Sequence, residues 1–340
     1  ATGWYSQYAQ TYLGARLNGA IDMDAHTLAR NFADGGRPNA GSAAFNEGFN
    51  KIKSLPIGGG GGLFVDRTDL YMVEGQYNLS EHTGKVADVL VGANYKKYNL
   101  NSKGTLFADG GGTIGIDEFG GYVQASRSLF QDFLKLSFSG RYDKNENFDG
   151  RFTPRATALF KVAKNNNVRV SYQTAYRFPS TQQQWIDLDV GSSTRLLGGV
   201  PYFQNKYGLN SNTYQLSALP GVTTPYKVSP FKPESVGTFE LGYKGLALQD
   251  KLLIDIYGYY GQYQNFLSRT LLVQPKATYT LASITSAIAT NVAVSNVANI
   301  YSIPVNAPSK VKTYGFGMSL DYRLPAGFII NSNVSSDNLK

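Results

Sequence analysis

The sequence has no cysteine, two histidines and two tryptophans, and only 16% of its 340 residues are charged. Without cysteine the chain can form no disulfide, thiolate metal site or cysteine nucleophile. An average soluble protein has about 25% charged residues. No apolar run reaches about 18 residues, which excludes membrane-spanning helices. The composition therefore fits neither an ordinary soluble protein nor a helical membrane protein.

Residues that could carry catalysis or bind metals are also scarce. His26 and His82 fall in two different connections of the strand pattern described below, one long and one short and at opposite ends of the strands, where they cannot share a metal or a catalytic triad. Asp22 and Asp24 precede His26 at two-residue spacing, but a solvated loop explains this pattern more simply than a cation site. We therefore predict no catalytic residue, no metal and no cofactor, and a hydrolase is the weakest of the functional alternatives.

The net charge of +8 is not concentrated in any cluster of lysine and arginine, which argues against nucleic acid as a partner.

The chain is rich in tyrosine (24), phenylalanine (19) and glycine (37). Apolar and polar residues alternate over long segments, as in 167–178, where Val168, Val170 and Tyr172 share one face and Arg169 lies on the other. This period of two is the pattern of a β-strand whose faces meet different environments.

Strand length and connection length separate a membrane barrel from a soluble sandwich. Strands are predicted at 3–13, 63–79, 86–99, 117–130, 133–145, 152–163, 167–178, 232–246, 251–266, 311–324 and 327–336. Most have ten or more residues, enough to cross a bilayer on a tilt. The connections alternate between long and short, with a moderate one at 146–151. Short turns on one rim and long loops on the other are typical of outer-membrane barrels.

The predicted fold is therefore all-β, an antiparallel transmembrane barrel with long extracellular loops and short periplasmic turns. Lipid-exposed sheets must close, and bacterial single-chain barrels have an even number of strands. We count eleven strands; residues 1–14 lack the features of a signal peptide, and 335–340 lack an aromatic terminus. The expectation is that residues 1–340 are part of one barrel domain and include neither a plug domain nor the closing C-terminal strands.

Two loop segments carry structure of their own. Residues 24–34 have helical apolar spacing, with Asp24 as the predicted N-cap and Gly35 after the helix, which predicts a short helix in the first outer loop. Residues 281–300 are small, β-branched and low in charge, and this pattern fits either a loop hairpin or a helix.

Residues 141–179 carry a recognisable series of motifs. Arg-Tyr-Asp at 141–143 is followed by Phe-Thr-Pro-Arg at 152–155, and then by Arg-Val-Ser-Tyr-Gln-Thr-Ala-Tyr-Arg-Phe-Pro at 169–179. Residues 231–244 add Phe-Lys-Pro-Glu and Glu-Leu-Gly-Tyr-Lys. In order and spacing this third of the chain resembles the mid-barrel region of TonB-dependent outer-membrane receptors. The segment YVQASRSLF at 122–130 is most similar to the Bacteroidetes-type branch of that family.

The resemblance implies a barrel of about 22 strands around a plug domain. It further implies active import of a scarce or bulky nutrient, such as a siderophore, cobalamin, an oligosaccharide or a peptide. The implied partners are the TonB complex, reached through an N-terminal region absent from these residues, outer-membrane lipid and lipopolysaccharide, and a surface lipoprotein. The alternative function is a passive pore or a surface-binding barrel without energy coupling.

Two sets of residues are predicted to serve transport. Aromatic residues of the loop 179–231 are predicted to contact substrate, and the alternative is that they pack on one another; they are Trp185, Tyr202, Phe203, Tyr207 and Tyr214. Charges on the polar strand faces either make the lumen electropositive or pair with each other, and pairing is favoured; they are Arg141, Arg155, Lys161, Arg169, Arg177, Glu240 and Asp255. Tyrosines near strand ends, among them Tyr95, Tyr142 and Tyr259, are predicted to form an interfacial girdle.

Overall fold

The computed structural model describes residues 2–84 and 86–340 and contains two compact units, one ending at Leu63 and the other comprising Phe64–Lys340. The first unit is helical and the second is built on two β-sheets. Within the described residues, no helix is both long enough and apolar enough to cross a membrane.

The first unit begins with α1 (Thr2–Leu17), so the predicted strand at 3–13 is wrong. The missed signal is the spacing of Trp4, Tyr8 and Tyr12, which recur every fourth residue and therefore share one face of a helix. The rings of Trp4 and Tyr8 stack with centroids 5.2 Å apart. Helical periodicity decides the structure here, whereas the aromatic content alone favours a strand.

The helix predicted at 24–34 is confirmed as α2 (Asp22–Asp34), and α3 (Ala43–Ser54) follows it. Ala25, Ala29 and Ala33 are buried at four-residue spacing, and these small side chains let α1 pack closely on α2. The helix begins before Asp24, which lies in the first turn and is not the N-cap. The sequence predicts this helix in a loop between two strands. That position is wrong, since the element before α2 is the helix α1.

Ten strands of the second unit form one antiparallel sheet in which each strand pairs with the next barrel strand along the chain. They are β1 (Asp69–Asn78), β2 (Asp88–Leu100), β3 (Ile114–Leu129), β4 (Leu134–Asn145), β5 (Phe148–Ala163), β6 (Asn166–Arg177), β10 (Glu234–Ala247), β11 (Leu252–Gln264), β14 (Val311–Arg323) and β15 (Ile329–Leu339). The ten predicted strands after 3–13 are thus confirmed, nine of them to within four residues at each end, whereas the strand predicted at 63–79 begins only at Asp69. The sheet is a partial barrel wall.

The alternation of short and long connections is also observed, with one exception. Gln131, Asn165 and Gln249 have positive φ in the short turns between strands. The turn predicted at 80–85 contains the short helix α4 (Ser80–Thr83), and Lys85 lies outside the described residues. The moderate loop predicted at 146–151 is wrong, because β5 already begins at Phe148.

This tight hairpin has a local cause. The backbone N–H of Asn147 donates to the side-chain oxygen of Asn145 at 3.0 Å, which is an Asx turn. The turn brings Phe148 opposite Asn145 in the β4–β5 pairing. One connection on the long-loop rim is therefore only two residues long.

The two faces of the barrel sheet differ in chemistry. Tyr172, Phe239, Tyr260 and Tyr314 lie in register on four adjacent strands, and between 36% and 51% of each residue's surface is exposed. No second layer covers this apolar row in the described residues. Such a surface is unfavourable in water and suits membrane hydrocarbon and its interface.

The opposite face carries the charged residues of the same strands, including Arg169 and Glu240. Of the predicted girdle, Tyr95 and Tyr142 are exposed on the apolar side. The prediction is wrong for Tyr259, whose hydroxyl donates to Asp337 at 2.6 Å on the charged face.

A second sheet of five strands is built from the two longest loops. It contains β7 (Asp187–Gly191), β8 (Thr194–Leu197), β9 (Tyr214–Gln215), β12 (Leu267–Pro275) and β13 (Ala298–Asn306), in the order β7-β8-β13-β12-β9. The helices α5 (Thr181–Trp185), α6 (Pro201–Lys206) and α7 (Leu281–Ala289) accompany it. Of the two structures considered for residues 281–300, the helix is observed as α7; no hairpin forms within this fully described segment, and its last three residues begin β13, which pairs with β12.

Three buried apolar clusters lie at the long-loop rim, two of them within these loops and one formed by the ends of β2 and β3, the segment 101–113 and Ile186. One cluster surrounds Phe203 and Leu272, a second surrounds Leu100 and Phe107, and a third surrounds Ile284. The loops are therefore a folded layer at the long-loop rim, held by conventional hydrophobic packing.

Candidate functional site at the long-loop rim

The loop 178–233 and the loop 265–310 meet through a parallel pairing of β8 with β13, in which Thr194 lies opposite Ile300. Neither loop can form this sheet alone. We call the resulting structure, made of β7, β8, β9, β12 and β13, the loop sheet. Because it joins segments that follow β6 and β11, its integrity determines the shape of the rim.

A buried carboxylate joins the β7–β8 edge of the loop sheet to α6. Asp187 accepts hydrogen bonds from Arg195 Nη1 at 2.8 Å, from Lys206 Nζ at 2.6 Å and from the Tyr207 hydroxyl at 2.7 Å. Its side chain is 5% exposed. Burial by itself raises the pKa of Asp187, but the bonds from Lys206, Tyr207 and Arg195 outweigh burial and hold that pKa below its ordinary value. The carboxylate is therefore ionised and joins β7, β8 and α6.

The predicted substrate-contacting aromatics mostly belong to this packing. Phe203 is 1% exposed and Tyr214 is 8% exposed, so neither offers a surface to a solute. Trp185 packs against the rings of Tyr202 and Phe203, with centroids 5.7 and 6.2 Å away. The structure thus favours the alternative that these loop aromatics pack on one another.

Cations already occupy positions over the two remaining rings. Lys206 Nζ lies 5.5 Å from the ring centre of Tyr202 and 5.3 Å from that of Tyr207. The guanidinium of Arg195 lies 5.7 Å from the Tyr207 ring, and these cation–π contacts hold the ring in the loop layer. Burial and the bond to Asp187 raise the pKa of Tyr207 to about 12. Of the five predicted residues, only Tyr202 is exposed, at 42%.

A cavity of about 400 Å³ opens where the barrel strands meet the loop layer. We call it the mouth cavity. Its lining residues are Tyr98, Glu118, Asn145, Tyr176, Phe178, Pro179, Ser180, Thr181 and Gln184. Tyr98, Tyr176, Phe178 and Pro179 supply apolar surface, and the remaining side chains supply carboxylate, amide and hydroxyl groups. This combination suits a solute with both apolar and hydrogen-bonding surface.

The polar groups of the mouth cavity are held in place. The carboxylate of Glu118 pairs with Lys96 Nζ at 3.0 Å and accepts a hydrogen bond from Asn145 at 3.3 Å. Gln184 is buried, donates to the carbonyl of Pro179 at 2.7 Å and accepts from Asn147 at 2.8 Å. Because these groups are oriented before any solute arrives, a bound solute would not have to order them.

A second cavity, of about 410 Å³, lies beside the β4–β5 hairpin. Its charged lining residues are Lys144, Glu146, Asp149, Arg151 and Lys232, and Phe148 and Phe231 contribute aromatic surface. The Nε atom of Arg151 is buried without a hydrogen-bond partner among the described residues. This cavity therefore has mixed charge, in contrast to the mouth cavity.

Five of the seven predicted lumen charges lie in ion pairs. Arg169 pairs with Glu240, and Arg141 contacts Asp143 at 2.6 Å. Arg177 lies 3.7 Å from Glu234, and Lys244 lies 3.0 Å from Asp255. These pairs join neighbouring strands or positions within one strand, which agrees with the favoured interpretation that lumen charges compensate each other.

Arg155 and Lys161 differ from the other predicted lumen charges. Within the part of the chain that the structure describes, neither has a carboxylate within 4.0 Å. A cavity of about 290 Å³ beside Arg155 is lined mainly by hydroxyl and amide groups, from Gln124, Ser137, Ser139 and Thr157. The prediction of an electropositive lumen therefore stays a prediction, and among the seven charges it now applies to Arg155 and Lys161.

The two histidines lie on separate helices, in different units of the chain. His26 lies on α2, where its Nδ1 is 2.5 Å from the Tyr8 hydroxyl and its Nε2 is 3.5 Å from Asp22. Tyr12 donates to Asp22 at 2.5 Å, and this bond lowers the pKa of that carboxyl. His82 lies on α4 in the second unit. No group of three His, Asp or Glu side chains that could hold a metal ion is present among residues 2–84 and 86–340.

Asp187, Arg195 and Lys206 were not anticipated from the sequence, and neither was the lining of the mouth cavity. The mouth residues come from four separate strands and a loop, so no local spacing links them. A weak signal for the Asp187 cluster exists in Asp187 and Asp189, which share one strand face and precede Arg195 across a turn at Ser192–Ser193.

Comparison with known proteins agrees with this architecture. The family model described as TonB dependent receptor-like, beta-barrel matches residues 2–338. Among solved structures, the siderophore receptor PirA from Pseudomonas aeruginosa is 16% identical, with a TM-score of 0.52 over 80% of this chain and 40% of that chain. No curated protein matches the sequence.

Two further solved structures are similar to a comparable extent. The ferric enterobactin receptor PfeA in complex with BCV-L6 has 15% identity and a TM-score of 0.55, over 80% of this chain and 36% of that chain. A mutant of PfeA from Pseudomonas aeruginosa in complex with enterobactin has 14% identity and a TM-score of 0.54, over 79% and 36%. The chain thus spans 40% or less of these receptors. At such identities the similarity establishes the fold.

Proposed function

This chain belongs to the TonB-dependent receptor-like β-barrel family and is part of a bacterial outer-membrane barrel, and from that membership we propose that its protein actively imports a scarce or bulky nutrient. Members of this family are transporters rather than enzymes. In the proposal, residues 1–340 contribute to one barrel domain, and a plug and further strands of the same protein complete it. The TonB complex supplies energy through the N-terminal region.

The position of the mouth cavity is the observation that carries the proposal. One side of the cavity is formed by Tyr98, Glu118, Asn145 and Tyr176, from four barrel strands, and the other side by residues 179–184 of the loop layer. A solute held there touches both the recognition loops and the upper end of the barrel wall. Such a site supports capture followed by passage, which is what an importer requires.

The nutrient classes in the proposal are siderophores, cobalamin, oligosaccharides and peptides. The printed names of the similar solved structures are those of siderophore and ferric enterobactin receptors, so ferric chelates come first in a screen. The Bacteroidetes-type branch and a surface lipoprotein partner are part of the same proposal, supported by the segment 122–130.

Uptake measurements in cells test the proposal. The full-length protein is expressed in a strain lacking its own copy, and accumulation of labelled ferric chelates, cobalamin, oligosaccharides and peptides is followed with and without a functional TonB complex. We expect one class to accumulate only when the complex is intact. Accumulation that persists without the complex would instead support a passive pore, and surface binding without accumulation would support a binding barrel.

A further inference from the structure

Four side chains with metal-binding groups meet between α1 and α2 of the first unit. The hydroxyl of Tyr12 donates to Asp22 Oδ1 at 2.5 Å, and the hydroxyl of Tyr8 lies 2.5 Å from His26 Nδ1. The other ring nitrogen of His26, Nε2, lies 3.5 Å from Asp22 Oδ2. We call Tyr8, Tyr12, Asp22 and His26 the helix-pair cluster. All its contacts join residues of one compact unit.

Ring stacking and helix packing hold the cluster in place. The rings of Tyr12 and His26 stack with centroids 4.5 Å apart. The ring of Tyr8 stacks on that of Trp4 at 5.2 Å, and Trp4 Nε1 donates to Asp34 at 2.8 Å. The buried alanines of α2 keep the two helices close. The groups of the cluster are therefore brought together before any ligand arrives.

The distances within the cluster fit coordination of a single metal ion. Ligand atoms that lie about 2 Å from the same ion are about 3 Å apart when they occupy adjacent positions. The carboxylate of Asp22 is 2.5 Å from Tyr12 Oη and 3.5 Å from His26 Nε2, so each distance differs from that value by about 0.5 Å. The side chains of Asp22 and His26 are 65% and 51% exposed, which leaves them room for this adjustment.

The donor atoms identify the class of ion. Calcium and magnesium prefer oxygen ligands alone, and an imidazole nitrogen argues against them. Imidazole suits iron, copper and zinc, whereas carboxylate and phenolate are hard, anionic oxygen ligands. Tyrosine is also a known axial ligand of haem iron. Among these ions the ferric ion has the highest charge, so it gains most from two anionic oxygens at one position.

We propose that Tyr12, Asp22 and His26 bind a ferric ion, and that Tyr8 is a positioning residue for His26. Tyr12 binds through its phenolate oxygen and releases its proton to solvent, Asp22 binds through its carboxylate, and His26 binds through neutral Nε2. The proton of His26 is then on Nδ1, which donates to Tyr8 Oη and keeps the ring oriented. Water or a chelating anion fills the remaining positions. The site is separate from the mouth cavity and does not depend on the transported solute.

Titration of the purified full-length protein with ferric nitrilotriacetate tests this site. A phenolate bound to a ferric ion gives a visible charge-transfer band at longer wavelength than the absorption of the probe. We expect this band to grow until one equivalent is bound, and Tyr12→Phe should abolish it. Tyr8→Phe should keep the band but bind iron roughly tenfold to a hundredfold more weakly, because it removes only the hydrogen bond that orients His26.

Two further variants separate the site from other tyrosines. Tyr5→Phe is the matched control, since it removes an exposed hydroxyl from the same helix, and it should leave the band unchanged. Arg16→Gln removes a cation whose Nε lies 4.0 Å from Asp22, so it should tighten iron binding several-fold. Both variants keep all four groups of the helix-pair cluster.

The absence of the band in the wild-type protein would overturn the proposal, and so would an undiminished band in Tyr12→Phe. If Tyr12→Phe does not fold, Asp22→Asn takes its place, because it keeps an acceptor for the Tyr12 hydroxyl and removes the anionic ligand. Asp22→Asn should weaken iron binding at least tenfold, and unchanged binding would contradict the site. Exclusion of the ferric probe by Zn²⁺ at equal concentration would also overturn the assignment to iron.

Discussion

The ring of Tyr257 lies directly over Gly317 on the neighbouring strand. A Cβ atom added to this glycine would be 2.7 Å from two ring carbons and from the hydroxyl oxygen of Tyr257, and the two residues are paired in register on β11 and β14. Tyr122 covers Gly92 in the same manner on β2 and β3. Aromatic rings that cover cross-strand glycines fix the register of a curved sheet.

We expect Gly317→Ala to destabilise the barrel by about 1–3 kcal/mol, because the new methyl group must displace the Tyr257 ring. Urea unfolding of the full-length protein in lipid vesicles measures the effect. Gly258→Ala on β11 is the control, since its new methyl group would lie 3.8 Å from the carbonyl oxygen of Gly315, an ordinary van der Waals distance, and it should change stability by less than about 0.5 kcal/mol. Adding Tyr257→Ala to Gly317→Ala should recover part of the loss; a purely additive double mutant would contradict the steric explanation.

The Asp187 cluster should determine whether the β7–β8 hairpin and α6 stay packed on each other. Asp187→Ala leaves Arg195 and Lys206 without their shared acceptor, and we expect a cost of about 1–3 kcal/mol for the loop layer, since both cations are partly exposed. Limited proteolysis should then cut within 186–210 while the barrel strands stay resistant. Asp189→Ala removes one ion pair with Arg195 and one hydrogen bond from the Gly191 N–H at 2.9 Å, and because Asp189 is 41% exposed it should cost less than about 1 kcal/mol. Equal protease resistance of Asp187→Ala and the wild type would refute this role.

The loop layer around Asp187 should also lose stability in acid. The pKa of Asp187 is lowered in the folded state, so its stabilising effect is present above the ordinary Asp value of about 3.9 and is lost as the pH falls below that value. Protection of 186–210 from an acid-stable protease should therefore hold at about pH 5 and decline below about pH 4. In Asp187→Asn the decline attributable to this group should be absent, and an identical acid profile in the variant would assign the transition to other carboxylates.

Replacing a lumen cation that has an acidic partner should have a different effect from replacing one that has no partner among the described residues. Arg155→Gln removes an uncompensated cation, so we expect the free energy of unfolding to change by less than about 0.5 kcal/mol and uptake of an anionic solute to slow several-fold. Arg169→Gln removes a compensated cation that is 47% exposed, and a cost below about 1 kcal/mol is expected with little change in uptake. If both variants transport anionic solutes at the wild-type rate, the lumen cations have only a structural role.

Filling the mouth cavity should block solute binding. Thr181→Trp places an indole into a cavity of about 400 Å³, and we expect a loss of at least tenfold in affinity for the transported solute without loss of folded barrel. Equilibrium binding to outer membranes measures this change. Thr290→Trp, at an exposed position after α7, provides a control of equal size and should bind normally. Normal binding by Thr181→Trp would place the recognition site elsewhere.

Local patterns predicted the barrel strands well, because each strand alternates between lipid and a polar interior along its whole length. The segment 3–13 was misassigned because its tyrosines favour strands, while their four-residue spacing favours a helix. The hairpin after Asn145 was missed because a single side-chain bond to Asn147 replaces a longer loop. Each error occurs where a local contact outweighs average residue preference.

The sequence by itself determined the two-faced strands, their order, the short turns and the family resemblance, since these depend on residues close together along the chain. Only the tertiary structure decided that Phe203 and Tyr214 are buried, that Asp187 joins three elements, and that the mouth cavity draws residues from four strands. The physical reason is that lipid acts on every strand alike and leaves a periodic record. Loop packing depends instead on contacts such as β8 with β13, whose partners are about a hundred residues apart.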